Sequence, residues 1–269
     1  MTIALDQYFD RIGFKAPFNS DLATLSALHS AHVDAIPFEG ADPLLGRPVL
    51  LDLPALEAKL VHGRRGGYCF EQNTLFKAVL EQIGFKVTGL AARVRWMSPP
   101  DSPLGPREHM LLKIDLAEGT YIADVGFGAC LMDAPLQLKA GVEQRTRMGT
   151  FLLTETDGLY TLAARQPSGW RTMYVFDLEP QRPSDYELGN WYTSTNPKAP
   201  FLHVLIMERL GAEYRHKLIN NRYLTEARDG EVVSETELAT PMALGEVLEG
   251  VFNVKLPASM DELFARLSQ

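Results

Sequence analysis

The 269-residue sequence predicts an α+β protein in three parts, with a helical first third, a middle third of antiparallel strands and a mixed α/β last third. Three observations carry that prediction. Apolar residues recur at helical spacing as far as Ile83; from Leu90 the period drops to two; and both patterns return after the Pro/Asn-rich passage NWYTSTNPKAPF. Apolar residues make up 46% of the chain and charged ones 22%, a composition that buries a core without disulfide or metal staples.

Each element has a local reason. Leu5, Tyr8, Phe9 and Ile12 share one face of a first helix, and Gly13 stops it. A second helix follows the cap candidates Asn19 and Ser20, carries Leu22, Leu25, Leu28 and His32 along one stripe, and ends at Pro37. Asp52 and Pro54 open a third, bearing Leu56, Leu60 and Val61. A fourth runs from about Tyr68 to Ile83, turns Leu75, Phe76, Val79 and Leu80 inward and stops at Gly84. Leu90, Ala92, Val94 and Trp96 then alternate with polar or small residues, as do Met110, Leu112 and Ile114. A turn at Glu118-Gly119 leads into TYIADV; TFLLTE turns at Asp157-Gly158 into LYTLAAR; and Trp170, Thr172, Tyr174 and Phe176 alternate in the last strand. The middle third is therefore a small antiparallel barrel or sandwich. The last third predicts a helix over 201–210, a hairpin turning at Asp229-Gly230, and helices over 244–252 and 260–267. The expected domains are 1–86, 87–190 and 191–269.

Charge and motifs exclude several functions. Lys plus Arg number 26 against 34 Asp plus Glu, and a net charge of −8 excludes a general nucleic-acid binder. No run of apolar residues is long enough to span a membrane, and the N-terminus shows neither the basic nor the apolar region of a signal peptide. Cys69 and Cys130 make no disulfide framework, so a cytoplasmic protein is expected, without nucleic-acid or membrane partners. His29, His32, His62, His203 and His216 fit no metal spacing and are read as core or solvated residues, so no metal is expected. GFGACL lacks the third glycine of a dinucleotide loop, and neither a P-loop nor G-x-S-x-G occurs.

The segment RRGGYCFEQN carries the most chemistry. Two glycines precede Cys69 at the mouth of an apolar-striped helix, where the helix field favours a thiolate and free backbone N–H groups can receive an oxyanion. Cys69 is thus either a nucleophile or a small hydrophobe within the helix. A nucleophile needs a base and a group to orient it. His109 lies on the face of its strand opposite Met110, Leu112 and Ile114, and Asp124 ends the return strand. A four-residue loop over 116–119 pairs Asp115 with Thr120, which sets Leu111 opposite Asp124 and His109 one diagonal step away on the same face, whereas a two-residue loop keeps the shared face but lengthens the separation. Such a pair is a base with its orienting acid or a structural hydrogen bond.

RRGGYCFEQN, with PREHMLL and IADVGFG after it, resembles the arylamine N-acetyltransferases; AHVDAIPFE and the later FDLEP, NWYTST and PF extend the resemblance over most of the chain. The resemblance implies an N-terminal helical bundle, a central antiparallel β-barrel and a C-terminal α/β lid around a cysteine-protease/transglutaminase-like catalytic core. It implies an acetyl-CoA-dependent acetylation of small aromatic amines and hydrazines, with acetyl-CoA as acyl donor. Cys69, His109 and Asp124 match its triad, Glu39 and Arg65 a supporting ion pair, and Phe38, Phe127 and Phe201 the aromatic positions of its acceptor pocket. Gly126 and Gly128, with Arg93, Arg95 and Arg107, are candidates for holding CoA. Two departures stand out. Glu39-Gly40-Ala41-Asp42 replaces the usual Glu-Asn-Leu-Asp, which predicts a looser wall behind the triad. Glu108 replaces a small hydroxyl residue, where a carboxylate aimed at the anionic donor would repel it. Cys130, just beyond the glycine loop, is a buried thiol or, if it lies close to the site, a target for oxidation and alkylation. The same order of Cys, His and Asp serves papain- and transglutaminase-like hydrolases, so thioester or amide hydrolysis is the alternative activity.

Overall fold

A computed structural model describes residues 2–99 and 101–267. The chain opens with α1 (Leu5–Ile12) and α2 (Leu22–Ala35), followed by the two-residue β1 (Phe38–Glu39) and the short α3 (Ala41–Leu44). Helix α4 (Leu53–Leu56) runs on as a π-helical turn over Glu57–His62, and α5 (Cys69–Ile83) completes the helical part. The cap of α2 is Asp21, whose carboxylate accepts from the Thr24 N–H, and not Asn19 or Ser20; the acid simply stands one residue nearer the first turn. Asp52 caps α4 as expected, and Gly84 closes α5 in the left-handed conformation.

Strands β2 (Lys86–Val94), β3 (His109–Leu116), β4 (Gly119–Ala123), β5 (Leu136–Gln137), β6 (Glu143–Arg145), β7 (Thr150–Thr156), β8 (Leu159–Gln166) and β9 (Gly169–Phe176) form one antiparallel sheet in the order β5-β4-β3-β2-β9-β8-β7-β6. The sheet curls until its edges meet: Gln144 of β6 accepts from the Gln137 N–H of β5 at 2.7 Å and donates to its carbonyl at 2.8 Å. Of the two forms open to the sequence, the nearly closed barrel is the one adopted. Its turn after β3 falls at Ala117-Glu118, one residue before the expected place, and keeps Asp115 opposite Thr120.

The last third departs most from expectation. Helix α6 (Pro183–Thr195) covers the first half of the Pro/Asn-rich passage NWYTSTNPKAPF and spans the expected division at 190/191. The predicted helix over 201–210 is instead a 3-10 turn (Pro200–Leu202) followed by strand β10 (Ile206–Leu210). The four-residue apolar run over 204–207 is too short for its period to separate helix from strand, and here β1 and β11 supply ladder partners on both sides. Strands β11 (Arg215–Ile219), β12 (Arg222–Glu226) and β13 (Val232–Glu237) complete a sheet in the order β1-β10-β11-β12-β13. The hairpin at Asp229-Gly230 joins β12 to β13, and a second one at Asn220-Asn221 joins β11 to β12. Helices α7 (Pro241–Gly250) and α8 (Met260–Leu267) end the described chain.

Three apolar cores result. Met110, Leu112 and Ile114 of β3 face the helical core, Leu111 and Ile122 face the barrel interior, and Leu205, Met207, Leu244 and Phe252 build the third core in the last part. Strand β3 is thus buried on both faces, and its N-terminal residue His109 emerges where the helical and barrel cores meet.

Candidate active site

The site begins at the N-terminus of α5. The Tyr68 N–H donates to the Glu71 carboxylate at 3.0 Å, closing the first turn and leaving Cys69 as the first helical residue. Helix α5 packs on β3, which brings the thiol against the start of that strand: Sγ lies 3.7 Å from the carbonyl of Glu108, the residue before His109. His109 Nε2 is 2.6 Å from Asp124 Oδ2, so the ring is anchored to the acid through that nitrogen. The β3–β4 register continues from the Leu112–Ala123 pair, so His109 and Asp124 share the barrel side, as the 116–119 connection predicts.

Asp124 is fully buried, and its carboxylate is saturated. Oδ2 receives His109 and the Tyr174 hydroxyl at 3.0 Å; Oδ1 receives Asn73 Nδ2 at 3.0 Å and the Gly126 N–H at 2.9 Å. Burial alone would raise its pKa, but the His109 charge and these bonds outweigh it and hold the carboxyl below the usual range. Burial likewise works against the His109 cation, yet Asp124 prevails and pushes the imidazole up to about 10. The ring is enclosed by Tyr174 at 4.9 Å and Phe127 at 5.2 Å between centroids.

Sequence reasoning missed Tyr174, Asn73 and His29. Tyr174 was visible only as a barrel-strand aromatic. Asn73 carried a signal: it lies four residues after Cys69, on the same helical face. It donates to the Met110 carbonyl at 2.8 Å and accepts from the Val125 N–H at 3.1 Å, tying α5 to both strands of the His–Asp pair. His29 accepts from the Asp124 N–H at 3.3 Å and is held down to about 4 by burial.

Buried Glu39 pairs with half-buried Arg65, with Arg65 Nε 3.2 Å from Glu39 Oε2, which also receives the Gly66 N–H at 2.9 Å. Arg65 also reaches Asp42 at 2.9 Å, and Lys59 bridges Asp42 at 2.7 Å to Glu71 at 2.6 Å. Five charged side chains therefore fix the turn that enters Cys69. Phe38 and Phe201 lie 5.9 Å apart between ring centroids, and Phe201 lies 5.6 Å from Tyr68. Gly126 and Gly128 lie in the floor: a Cβ on the first would stand 2.7 Å from the Cys69 Cα, and one on the second 2.2 Å from the Phe38 ring. Only glycine permits both approaches.

The other expected residues have settled partners. Arg107 pairs with Asp177 at 2.6 Å and Glu179 at 3.3 Å, while Arg93 and Arg95 bind carbonyls of the connection before β3. Glu108 is half-buried, and that burial raises its carboxyl while His109 opposes the shift. Cys130 is buried beside the Arg215–Glu208 ion pair, and burial pushes its thiol up, so of its two readings the buried thiol holds. Among the described residues no cluster of three His, Cys, Asp or Glu side chains fits a metal ion. A cleft of about 340 Å³ lined by Leu45, Arg47, Glu262 and Arg266 includes none of the triad and lacks its chemistry.

Comparison with known proteins agrees over nearly the whole chain. A family model described as N-acetyltransferase matches residues 21–260. An arylamine N-acetyltransferase of Mycolicibacterium smegmatis is 40% identical over 256 residues, covering 94% of this chain and 91% of the relative. The solved structure of arylamine N-acetyltransferase from Salmonella typhimurium superposes with a TM-score of 0.92 at 36% identity, covering 100% of this chain and 99% of that one. The Mycobacterium marinum arylamine N-acetyltransferase in complex with CoA gives a TM-score of 0.92 at 34% identity, with 98% of each chain covered.

Proposed function

The chain belongs to the arylamine N-acetyltransferase family and is an acyltransferase, and from that premise we propose that it moves an acetyl group from acetyl-CoA to arylamines and arylhydrazines through an acetyl-Cys69 intermediate. The observation that carries this reading is the Cys69 thiol at the mouth of α5, seated against the Glu108 carbonyl at 3.7 Å where the next residue, His109, is held by Asp124 at 2.6 Å.

The Cys69 thiolate, stabilised by the His109 imidazolium, attacks the thioester carbonyl of acetyl-CoA. The bond from the acetyl carbon to the CoA sulfur breaks, CoA leaves with the proton from His109, and Cys69 is left acetylated. Acetylation removes the sulfur's negative charge, one of the contributions that hold the proton on His109, so the ring becomes a better base for the second stage. The aromatic amine, placed among Phe38, Phe127 and Phe201, attacks the acetyl carbonyl. His109 takes the amine proton, and the Cys69 thiolate departs. Asp124 keeps the ring oriented throughout. Glu39 and Arg65 support the turn that presents the thiol, and the backbone around Gly126 and Gly128 forms the floor on which donor and acceptor succeed one another.

Mass spectrometry of the protein with acetyl-CoA alone tests the covalent stage: one acetyl group is expected on the wild type and none on Cys69→Ala. An unmodified wild type removes the intermediate. Double-reciprocal plots are expected to be parallel, and intersecting lines mean direct transfer in a ternary complex. CoA release that is indifferent to added arylamine identifies a hydrolase instead.

A further inference from the structure

Gly40 is a glycine without a backbone reason. Its φ of −102° and ψ of 29° are open to any residue, so conformational freedom does not account for it. Its surroundings do. A Cβ at this position would stand 2.7 Å and 3.1 Å from two ring carbons of Phe201, while the next nearest atom, the Ile206 carbonyl oxygen, is at an ordinary 3.5 Å. The ring of Phe201 lies flush on the backbone of residue 40. The wall that Gly40-Ala41 was expected to loosen is therefore filled: Ala41 is buried in the third core, and Phe201 occupies the space over Gly40.

Phe201 is itself only half-buried, and away from Gly40 its aromatic neighbours are Phe38 and Tyr68, the residue before Cys69. Its seat on the glycine thus fixes how far the ring stands from Phe38 and Tyr68. We propose that Gly40 is a specificity-determining residue: by admitting the Phe201 ring to its own backbone, it keeps the acceptor side of the cleft wide enough for two-ring aromatic amines. The inference rests on the reading of Phe201 as acceptor wall given above. Any side chain at position 40 drives the ring toward Phe38 and Tyr68 and narrows that side, while the backbone hydrogen bond from the Gly40 N–H to the Ile206 carbonyl, 3.0 Å, is kept.

The test compares a one-ring with a two-ring arylamine in wild type, Gly40→Ala, Phe201→Leu and the double variant, with acetylation of Cys69 by acetyl-CoA alone followed by mass spectrometry. Gly40→Ala is expected to raise the two-ring to one-ring KM ratio by about tenfold, the scale of one misplaced methyl in an apolar pocket. In the Phe201→Leu background the same change is expected to leave the ratio within about twofold, because the flexible leucine yields to the new methyl. An unchanged ratio in Gly40→Ala, or an equal shift in both backgrounds, overturns the proposal. Should Gly40→Ala fail to fold, a folded double variant supports the clash with Phe201, and an unfolded one shows that the glycine serves the backbone and overturns it. A wild type that takes no acetyl group defeats the functional reading instead, which keeps the two failures apart.

Discussion

Tyr174→Phe takes one of four hydrogen bonds from the buried Asp124 carboxylate and leaves the ring in place. The expected loss is about 1–3 kcal/mol of stability, read by denaturant unfolding, because the remaining donors cannot cover the vacated position. The His109 contact survives, so acetylation of Cys69 slows in this variant and fails only when Asp124 itself is replaced. The pH dependence follows from the same pair. With His109 raised to about 10, its stabilising contribution is complete below the unfolded-state value of 6.5 and is lost as pH rises through about 10. The rate of CoA release in the first stage, followed by stopped flow, is therefore expected to show no limb at 6.5 and to fall only as pH nears 10. Of these residues, Cys69, His109 and Asp124 were legible through the motifs RRGGYCFEQN, PREHMLL and IADVGFG and the resemblance they carry, while spacing and register alone left each a structural alternative. Tyr174 was not, because nothing along the chain relates it to a carboxylate fifty residues earlier.

Strands β10 and β11 bring the barrel loop under the last sheet. Glu208 accepts from the Leu131 N–H at 2.9 Å, Arg215 donates to the Leu131 carbonyl at 3.1 Å, and Lys217 donates to the Ala129 carbonyl at 3.0 Å. Glu208 and Arg215 are both buried, and removing Arg215 takes from Glu208 the cation it pairs with. Arg215→Met is expected to cost about 3–5 kcal/mol in urea unfolding, and Arg215→Met with Glu208→Met to recover most of it. Full additivity would mean that the pair does not act as a unit. β10 was misread as a helix for a related reason: its identity rests on ladder partners at Phe38 and Leu218, far apart in sequence. α6 was hidden by composition. Its buried stripe is Tyr186, Asn190 and Thr193, spaced as a helix requires but too polar to register as an apolar face.

Across the whole molecule, two buried histidines set the acid limit. His32 accepts from the Tyr8 hydroxyl at 2.7 Å and contacts Gln72 at 2.7 Å, and burial depresses it to about 3; His29 is held down to about 4. Both are neutral when folded and become charged on unfolding below 6.5. Their contribution is therefore present above that pH and lost as it falls toward 4 and 3, on the order of 3–5 kcal/mol each. Thermal unfolding from pH 7 to pH 4 is expected to show a steep fall in Tm, made shallower by His29→Asn with His32→Asn. An unaltered slope would place the acid sensitivity in the carboxylates instead. Asp124 works in the same direction, since its lowered pKa gives stability above 3.8 that protonation removes.

Sequence alone determined the helical first third, the barrel strands and the α5 mouth with its thiol, because each depends on periodicity or caps; the register that sets His109 beside Asp124 was open between two loop lengths until the strands paired. Tertiary structure alone decided that Tyr174 and Asn73 complete the acid's hydrogen bonds, that 206–210 is a strand, and that Phe201 rests on Gly40. Those contacts join segments that are distant along the chain, and no local pattern records which of them will meet once three cores have packed against one another.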